Sequence, residues 1–409
     1  MATELALTEE ERAMLAGAEG PGVRRALEMV VALARIYGAR RLVPIASAQV
    51  SGVSYANIGE AGLEFLEQWA RDGARARVSA YLNPAGMDLE SWAEMGLPEG
   101  FARQQLAVVE AYRRLGVQLS LTCAPYFSAP PSLGQHLAWA ESSAVCYANS
   151  LLGARTNREG GPSALAAAIV GRTGCYGLHL EENRLPTELY LVRAQLKTGA
   201  DWGALGAIVG RAARGVPWLA FGPGALPARL EQVQEGLRLF GAAAAALGSV
   251  ALFHAEGLTA EASAGLVKAP AAAPKPIESL DEAYSLLDGQ TERLDLVALG
   301  CPHASLGQLR AVAEFMAGRR ARVRTWVATS RQVAEEAQRL GLAGKLQDAG
   351  IRLVRDTCVV VSPLELLGIR AVATDSAKAA FYLRSQQGVQ VRFGSTERCL
   401  EASIRGRWQ

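Results

Sequence analysis

Short apolar runs alternate with amphipathic segments along the first third of the chain. Each run has the length of a buried β-strand, and each segment repeats apolar residues every three or four positions, as an α-helix does. Strands that alternate with helices are typical of parallel α/β sheets, so the pattern predicts the α/β fold class. The predicted strands cover residues 41–46, 76–82 and 117–123, and the predicted helices cover residues 8–16, 22–37, 63–71 and 100–115.

The alternation weakens in the middle of the chain and resumes after residue 280. Just before that point, residues 258–280 hold Ala, Pro and Ser with little periodicity, as linkers between domains do. We therefore expect an N-terminal α/β region of two subdomains over residues 1–280 and a C-terminal α/β domain over residues 281–409. Further strands are predicted at residues 217–221, 249–253, 294–299, 323–328 and 351–355, and helices at residues 227–247, 306–319, 331–340 and 376–383.

Polar and reactive residues follow the first three predicted strands. Residues 51–54 (Ser-Gly-Val-Ser) come after the first strand, and Asn83 and Pro84 come after the second. Cys123 ends the third. In open parallel sheets, ligands bind outside the carboxyl ends of the strands. These residues are therefore expected to converge on one crevice.

Three of the six cysteines, Cys123, Cys301 and Cys358, end predicted strands. If the two halves of the chain face each other across a cleft, the three thiolates can meet there. Three thiolates leave one position of an iron–sulfur cluster open to substrate, where iron acts as a Lewis acid. Cysteine is also a common small buried hydrophobe, so spacing alone leaves both interpretations open. Buried packing is the interpretation for Cys146, Cys175 and Cys399.

The four histidines show no zinc-ligand spacing. His303 lies two residues after Cys301, and we interpret it as a histidine of a surface loop, with support of the thiol site as the alternative. The sequence also lacks Walker A, strand-linked GxGxxG, GxSxG and HExxH motifs. Nucleotide-binding, dinucleotide-binding and hydrolase-triad functions therefore have no support.

Charge and hydropathy limit the partners of the chain. The 409 residues carry a net charge of +2 at pH 7, and a fifth of them are charged. A chain so close to neutrality attracts neither nucleic acid nor an anionic membrane surface, so neither partner is expected. No run of 18 apolar residues and no signal-peptide core is present, which predicts a cytoplasmic protein.

Seven motifs spread over nearly the whole chain carry a family resemblance. Taken together they resemble aconitase X, a family distantly related to aconitase that dehydrates hydroxy acids. The motifs are Ser-Gly-Val-Ser-Tyr-Ala-Asn-Ile-Gly at 51–59, Asn-Pro-Ala-Gly-Met-Asp at 83–88, Thr-Cys-Ala-Pro-Tyr at 122–126, Trp-Ala-Glu-Ser-Ser-Ala-Val-Cys-Tyr-Ala-Asn-Ser at 139–150, Ala-Arg-Thr-Asn-Arg-Glu-Gly-Gly-Pro at 154–162, Gly-Cys-Pro-His at 300–303 and Asp-Ser-Ala-Lys at 375–378.

The resemblance implies an aconitase-like, multi-domain α/β/α fold with mostly parallel sheets and an active-site cleft between domains. One branch of the family dehydrates (R)-5-phosphomevalonate to trans-anhydromevalonate 5-phosphate in an archaeal mevalonate pathway. Another branch dehydrates cis-3-hydroxy-L-proline. A two-chain layout and a composition rich in Ala, Arg and Gly, as in thermophiles, favour the first activity, and the second is the alternative. A cluster-binding scaffold or regulator without turnover is the non-enzyme alternative.

The resemblance also implies a partner and a cofactor. A small swivel-domain subunit completes the site in a heterodimer, and because this chain stops at Gln409 without such a domain, a separate small subunit is expected. By motif match, Cys123, Cys301 and Cys358 would be ligands of a [4Fe-4S] cluster, with [2Fe-2S] as the alternative. The main base of the reaction, a serine, is expected on the small subunit.

The substrate, a small phosphorylated hydroxy acid, is expected to contact residues from both halves of the chain. Glu141 would transfer a proton, for instance to the departing hydroxyl, or would only orient a ligand, and both roles are open. Donors for the phosphate are expected from Ser54, the backbone amides of residues 52–54 and Lys378. The substrate contacts implied by motif match are Gly52, Val53, Ser54, Asn83, Pro84, Glu141, Ser142 and Lys378.

Overall fold

Four β-sheets, three of them entirely parallel, organise residues 5–409, the part of the chain that the computed structural model describes. Helices connect and cover the strands of each parallel sheet. The predicted α/β class with mostly parallel sheets is therefore confirmed.

The N-terminal parallel sheet has the strand order β3-β2-β4. Strands β1 and β5 form a separate antiparallel sheet of two strands. The strands are β1 (Leu42–Pro44), β2 (Ser47–Val50), β3 (Ser79–Leu82), β4 (Leu137–Trp139) and β5 (Arg172–Gly174). The helices are α1 (Glu9–Leu15), α2 (Pro21–Ile36), α3 (Tyr55–Arg71), α4 (Trp92–Met95), α5 (Glu99–Arg114), α6 (Ser142–Ser150) and α7 (Gly161–Val170). The Ala-rich α7 is almost wholly buried, and it packs against both α2 and β2.

The predicted strand over residues 117–123 is wrong. This segment runs alongside β3 and makes a single bridge, between Gln118 and Tyr81. The ladder stops there because the Ser120 hydroxyl, 2.9 Å away, accepts the hydrogen bond of the Leu82 amide. The second neighbour of β2 in the sheet is instead β4, for which no strand was predicted.

The middle sheet has the order β8-β7-β6-β9. Its strands are β6 (Glu188–Val192), β7 (Pro217–Phe221), β8 (His254–Ala255) and β9 (Lys275–Ile277), and its helices are α8 (Gly199–Ala212), α9 (Leu230–Gly248) and α10 (Ala260–Ser263). Glycines let α8 and α9 touch through their backbones, since a Cβ atom on Gly248 would lie 1.6 Å from the Gly210 carbonyl oxygen. The predicted strand over residues 249–253 is wrong, because pairing with β7 begins only at His254.

The segment predicted as a linker is partly ordered into this middle sheet. Strand β9 lies within residues 258–280 and pairs with β6 in parallel. The segment thus completes the edge of a sheet on its way to the C-terminal part of the chain. The division of the chain at residue 280 stays a prediction.

The C-terminal sheet has the order β12-β11-β10-β13-β14, so the connections leave β10 in opposite directions. Its strands are β10 (Leu296–Leu299), β11 (Thr325–Ala328), β12 (Ile351–Val354), β13 (Ala371–Thr374) and β14 (Gln390–Phe393). Its helices are α11 (Asp281–Leu287), α12 (Leu306–Phe315), α13 (Arg331–Arg339), α14 (Leu342–Asp348), α15 (Ala377–Gln387) and α16 (Thr396–Arg405). Such a reversal of strand order opens a crevice beyond the carboxyl ends of β10 and β13, which is where ligands bind in this type of sheet.

Candidate active site

A cavity of about 300 Å³ lies where the carboxyl ends of the N-terminal and C-terminal sheets face each other. The loops after β2, β3 and β4 form one wall, and the loops after β10, β12 and β13 form the other. All eleven predicted site residues line this cavity: Gly52, Val53, Ser54, Asn83, Pro84, Cys123, Glu141, Ser142, Cys301, Cys358 and Lys378. For residues 52–54, Asn83, Pro84 and Cys123 this is the convergence expected from the strand-end pattern. Glu141, Ser142 and Lys378 were expected here only from the family resemblance.

Three buried thiols lie in this cavity. Cys123 comes from the segment beside β3, Cys301 follows β10, and Cys358 follows β12. Burial raises the pKa of each thiol, to about 12 for Cys123. The thiols are near enough for the charge of one to raise the pKa of another. The three thiols are therefore neutral at pH 7 unless a cation binds them.

A buried ion pair joins the two walls. The ammonium of Lys378, in the first turn of α15, contacts the carboxylate of Glu141 and lies 3.3 Å from the hydroxyl of Ser143. Burial acts to raise the pKa of Glu141, but the charge and hydrogen bond of Lys378 outweigh it and lower the pKa to about 2. Burial likewise acts to lower the pKa of Lys378, and Glu141 raises it above its usual value. Both groups are charged at neutral pH.

The Glu141 carboxylate has further donors that hold it in one orientation. It is the N-cap of α6, where it accepts hydrogen bonds from the Ser143 amide at 3.3 Å and hydroxyl at 3.1 Å. The Asn83 side-chain amide donates to its other oxygen at 3.0 Å, and Gln49 in turn donates to Asn83 at 3.0 Å. The Ser142 hydroxyl lies 3.3 Å from Oε1 of Glu141, the oxygen that Ser143 also contacts. A carboxylate with so many donors is rigid and ionised.

The loop after β2 offers backbone donors to the cavity. Gly52 has a φ of 81°, a conformation that suits glycine, and it turns the chain into α3. The Gln105 side chain holds the loop, since it donates to the Val53 carbonyl at 2.8 Å. Among the described residues, no acceptor pairs with the amides of residues 52–54. These amides are free to bind an anion.

The hydroxyl of Ser54 does not fit the predicted role of a phosphate donor. It is buried, and its proton is donated to the Val361 carbonyl oxygen at 2.8 Å, which ties the two walls together. In this arrangement the oxygen can only accept a hydrogen bond. Ser54 therefore offers its backbone amide, and not its hydroxyl, to an anionic ligand.

Sequence reasoning overlooked several residues that line the cavity. In a chain rich in arginine, sequence gives no reason to select Arg155 or Arg158. The structure places Arg158 at the exposed mouth of the cavity, whereas Arg155 pairs with Glu181 at 2.9 Å outside it. Tyr382 follows Lys378 by one helical turn, and that spacing would have placed both on one face of α15. The overlooked lining residues are Asn57, Ala140, Val360, Val361, Tyr382 and Gln386, whereas Ser51 belongs to the loop over residues 51–54 that was expected at this crevice.

The other sulfur and imidazole groups lie elsewhere. Cys146, Cys175 and Cys399 are buried outside the cavity, which confirms their predicted burial. The interpretation of His303 as a surface-loop residue is wrong: its side chain is 1% exposed and lies behind the thiols. Its burial follows from a position between both walls of the cleft, which sequence spacing does not reveal.

A larger groove of about 820 Å³ crosses the edge of the C-terminal sheet near β12. Its charged side chains neutralise one another, for example Arg352 with Glu94 at 3.0 Å. It contains no cysteine. We therefore place the functional site in the smaller cavity. No helix within residues 5–409 has both the length and the apolar character to cross a membrane.

Comparison with known proteins identifies the relatives of this chain. Profiles described as the aconitase X first, second and third domains match residues 4–182, 186–283 and 294–405. The phosphomevalonate dehydratase large subunit of Methanocaldococcus jannaschii is 45% identical, over 97% of this chain and 99% of its own length. That of Methanothermobacter thermautotrophicus is 46% identical, over 94% of this chain and 95% of its own length.

Two further relatives extend the comparison. The cis-3-hydroxy-L-proline dehydratase of Pseudomonas aeruginosa is 37% identical, over 97% of this chain but 70% of its own length. The crystal structure of Thermococcus kodakaraensis aconitase X in its holo-form superposes with a TM-score of 0.88 at 41% identity, over 98% of this chain and 100% of that one. With profile matches over all three segments and full-length relatives, this chain belongs to the aconitase X family.

Proposed function

We propose that this chain is the large subunit of an iron–sulfur hydro-lyase that dehydrates (R)-5-phosphomevalonate to trans-anhydromevalonate 5-phosphate. The observation that carries the proposal is the cavity that combines three buried thiols with the Glu141–Lys378 ion pair. The choice of substrate is supported by the two relatives at 45% and 46% identity, which are named phosphomevalonate dehydratase large subunits and match over 99% and 95% of their own length. The cis-3-hydroxy-L-proline dehydratase is less similar, at 37% identity, and this chain covers only 70% of its length. Hydroxyproline is therefore the second candidate substrate.

The thiols fit an iron–sulfur cluster better than a single metal ion. Within residues 5–409, no three His, Cys, Asp or Glu side chains are arranged around one point as a mononuclear site requires. Cys123, Cys301 and Cys358 line one cavity and come from three separate segments of the chain, so each thiolate could bind a different iron. We assign them as ligands of a [4Fe-4S] cluster. When bound, such a cluster supplies Lewis acidity through the iron that no thiolate holds.

The reaction breaks a C–H bond beside the substrate carboxylate and the C–O bond on the neighbouring carbon, forms a C=C bond and releases water. Glu141, with a pKa of about 2, has no proton to give to the departing hydroxyl and is a weak base. Of its two predicted roles, the charge state supports orientation of the substrate. The base is then expected from the small subunit.

The anionic groups of the substrate need positive partners in the cavity. The Lys378 ammonium is already paired with Glu141, so the pair together contributes no net charge. The free amides of residues 52–54 and the guanidinium of Arg158 line the same cavity, although one N–H group of Arg158 donates to the Ala245 carbonyl oxygen at 3.4 Å. We propose that these groups bind the phosphate, and that Lys378 and Asn83 orient the hydroxy-acid end.

The mouth of the cavity suits a second chain. Asn57, Arg158 and Gln386 line the mouth and are exposed. The relatives are named large subunits, which presupposes a small one. We propose a heterodimer with a small swivel-domain subunit, placed in the cytoplasm, with neither nucleic acid nor membrane as a partner.

Turnover by the purified heterodimer tests the proposed function. The two chains are produced together and purified without oxygen, and formation of the C=C bond is followed by NMR with each candidate substrate. We expect rapid dehydration of (R)-5-phosphomevalonate and little or none of cis-3-hydroxy-L-proline. Preference for hydroxyproline would replace the substrate assignment, and a bound cluster with no turnover of either would support the scaffold alternative.

Cysteine variants test the cluster assignment separately. Cys301→Ser removes a proposed ligand, so the visible absorbance and the iron content of the purified protein should fall to near zero. Cys399→Ser is the matched control, because Cys399 is buried outside the cavity. Full iron content in Cys301→Ser would refute the three-cysteine site.

A further inference from the structure

His303 lies at the junction of the three cysteine-bearing segments. Its Nδ1 is 3.0 Å from the hydroxyl oxygen of Thr122, the residue before Cys123. Its Nε2 is 3.1 Å from the carbonyl oxygen of Thr357, the residue before Cys358. The histidine itself follows Cys301 by two residues. One buried imidazole therefore joins all three segments.

The chemistry of these partners determines the direction of both hydrogen bonds. A carbonyl oxygen can only accept, so Nε2 carries the proton and donates it to Thr357. Nδ1 then has a free lone pair and accepts the hydroxyl proton of Thr122. The Thr122 oxygen accepts from the Ala124 amide at 3.1 Å, which leaves its proton for the ring. The donor and the acceptor of each of these hydrogen bonds are therefore determined.

The backbone of His303 is held as well. Its amide donates to the sulfur of Cys123 at 3.2 Å. Its carbonyl accepts from the guanidinium of Arg238 at 3.3 Å, and that buried arginine also binds Gln308 at 3.1 Å. Among the described residues, no other side chain hydrogen-bonds both to the segment before Cys123 and to the segment before Cys358. The position of the ring is therefore determined from several sides.

We propose that His303 is a positioning residue that holds the three cysteine segments at the spacing a cluster needs. This inference rests on the proposed function, because it takes the three thiols as cluster ligands. Removal of groups that orient metal ligands commonly weakens metal binding by about 10–100-fold. Loss of the ring would let the segments before Cys123 and Cys358 move apart, and the cluster would be released more readily.

Release of iron to a chelator tests this role without measuring activity. The heterodimer is loaded with its cluster, a ferrous chelator is added without oxygen, and the decay of visible absorbance is followed. We expect His303→Ala to lose iron about 10–100-fold faster than the parent. His179→Ala is the matched control: His179 is also buried, 2.9 Å from His136 and outside the cavity, so its loss should lower the melting temperature and leave iron release unchanged.

A pair of threonine variants keeps the test valid if His303→Ala does not fold. Thr122→Val keeps the shape of the side chain and removes the hydroxyl that binds Nδ1, so iron release should accelerate. Thr122→Ser keeps the hydroxyl and should behave as the parent. The role is overturned if Cys301→Ser has lost its iron while Thr122→Val, and His303→Ala where it folds, release iron at the parental rate. If Cys301→Ser keeps its iron, the cluster assignment itself has failed.

Discussion

Replacement of Lys378 by methionine would leave a buried carboxylate without its counter-charge. The side chain of Lys378 is 6% exposed and that of Glu141 is 13% exposed, so water cannot substitute for the lost ammonium. Asn83 and Ser143 would continue to donate hydrogen bonds to the carboxylate, but neither carries charge. The variant should therefore be markedly less stable at neutral pH.

Two routes give the same magnitude for this loss. A glutamate whose pKa falls from 4.5 to about 2 on folding stabilises the folded state by roughly 3 kcal/mol when ionised, at about 1.4 kcal/mol per pKa unit. Breaking a buried ion pair by removing one partner typically costs about 3–5 kcal/mol. For an unfolding entropy of about 2 cal/mol/K per residue, a loss of 3 kcal/mol corresponds to a fall of about 3–4 °C for a chain of 409 residues.

Calorimetric melting of the chain without cluster measures this effect. Lys378→Met should melt about 3–4 °C lower at pH 7, and the double variant with Glu141→Gln should recover most of the loss, because no uncompensated charge remains. Lys345→Met is the control, since Lys345 is exposed on α14 and forms no ion pair among the described residues, so its loss should change stability by less than about 0.5 kcal/mol. A shift below 1 °C in Lys378→Met would show that the ion pair does not stabilise the cleft.

The same pair predicts a pH dependence. The pKa of Glu141 is lower in the folded state than in the unfolded state, so its stabilisation is complete above pH 4.5 and is lost as the pH falls toward 2. The difference in melting temperature between the parent and Lys378→Met should therefore be largest near neutral pH and shrink below pH 4.5. A difference that stays constant down to pH 3 would contradict the assignment of the charge to Glu141.

Three further substitutions test packing and charge beyond the Glu141–Lys378 pair. Gly161→Ala would place a Cβ atom 2.3 Å from the carbonyl oxygen of Ser51, so it should lower stability by about 1–3 kcal/mol in thermal melting, whereas Gly344→Ala, where the added atom meets open space within a helix, should raise it by about 0.5–1 kcal/mol. Arg184→Met should cost about 3–5 kcal/mol, because Arg184 and Glu261 are 2% and 6% exposed and paired at 2.7 Å. Near-parental melting of Arg184→Met or Gly161→Ala would contradict these contacts.

The parts of the fold that sequence could predict are the ones with long apolar runs. The predicted strands over residues 294–299, 323–328 and 351–355 correspond to β10, β11 and β12, of which β10 and β11 are buried at every position. Strand β4 has only three residues, and a run of three carries no measurable periodicity. Strands β2, β5, β6, β9, β13 and β14 were also overlooked, so sheet order could not be derived from sequence.

The ionisation state of Glu141 could not be predicted from sequence for a different reason. Lys378 and Glu141 are 237 residues apart, and no local pattern links them. Sequence placed both beside the substrate through the family resemblance, yet it left the role of Glu141 open, because a carboxyl's pKa depends on neighbours that only the fold supplies. The structure brings the ammonium onto the carboxylate, and that contact decides the charge state.

Cys123 shows how a wrong element can still lead to the correct place. It was assigned to the crevice as the end of a strand over residues 117–123, and no such strand forms. The segment nevertheless follows β3 to its carboxyl end, because the Thr122 amide donates to the Leu82 carbonyl at 3.0 Å. One residue later the chain leaves the sheet edge, and the Cys123 sulfur meets the His303 amide from the facing wall. The direction of the chain along the sheet, more than its pairing, therefore determines which residues reach the crevice.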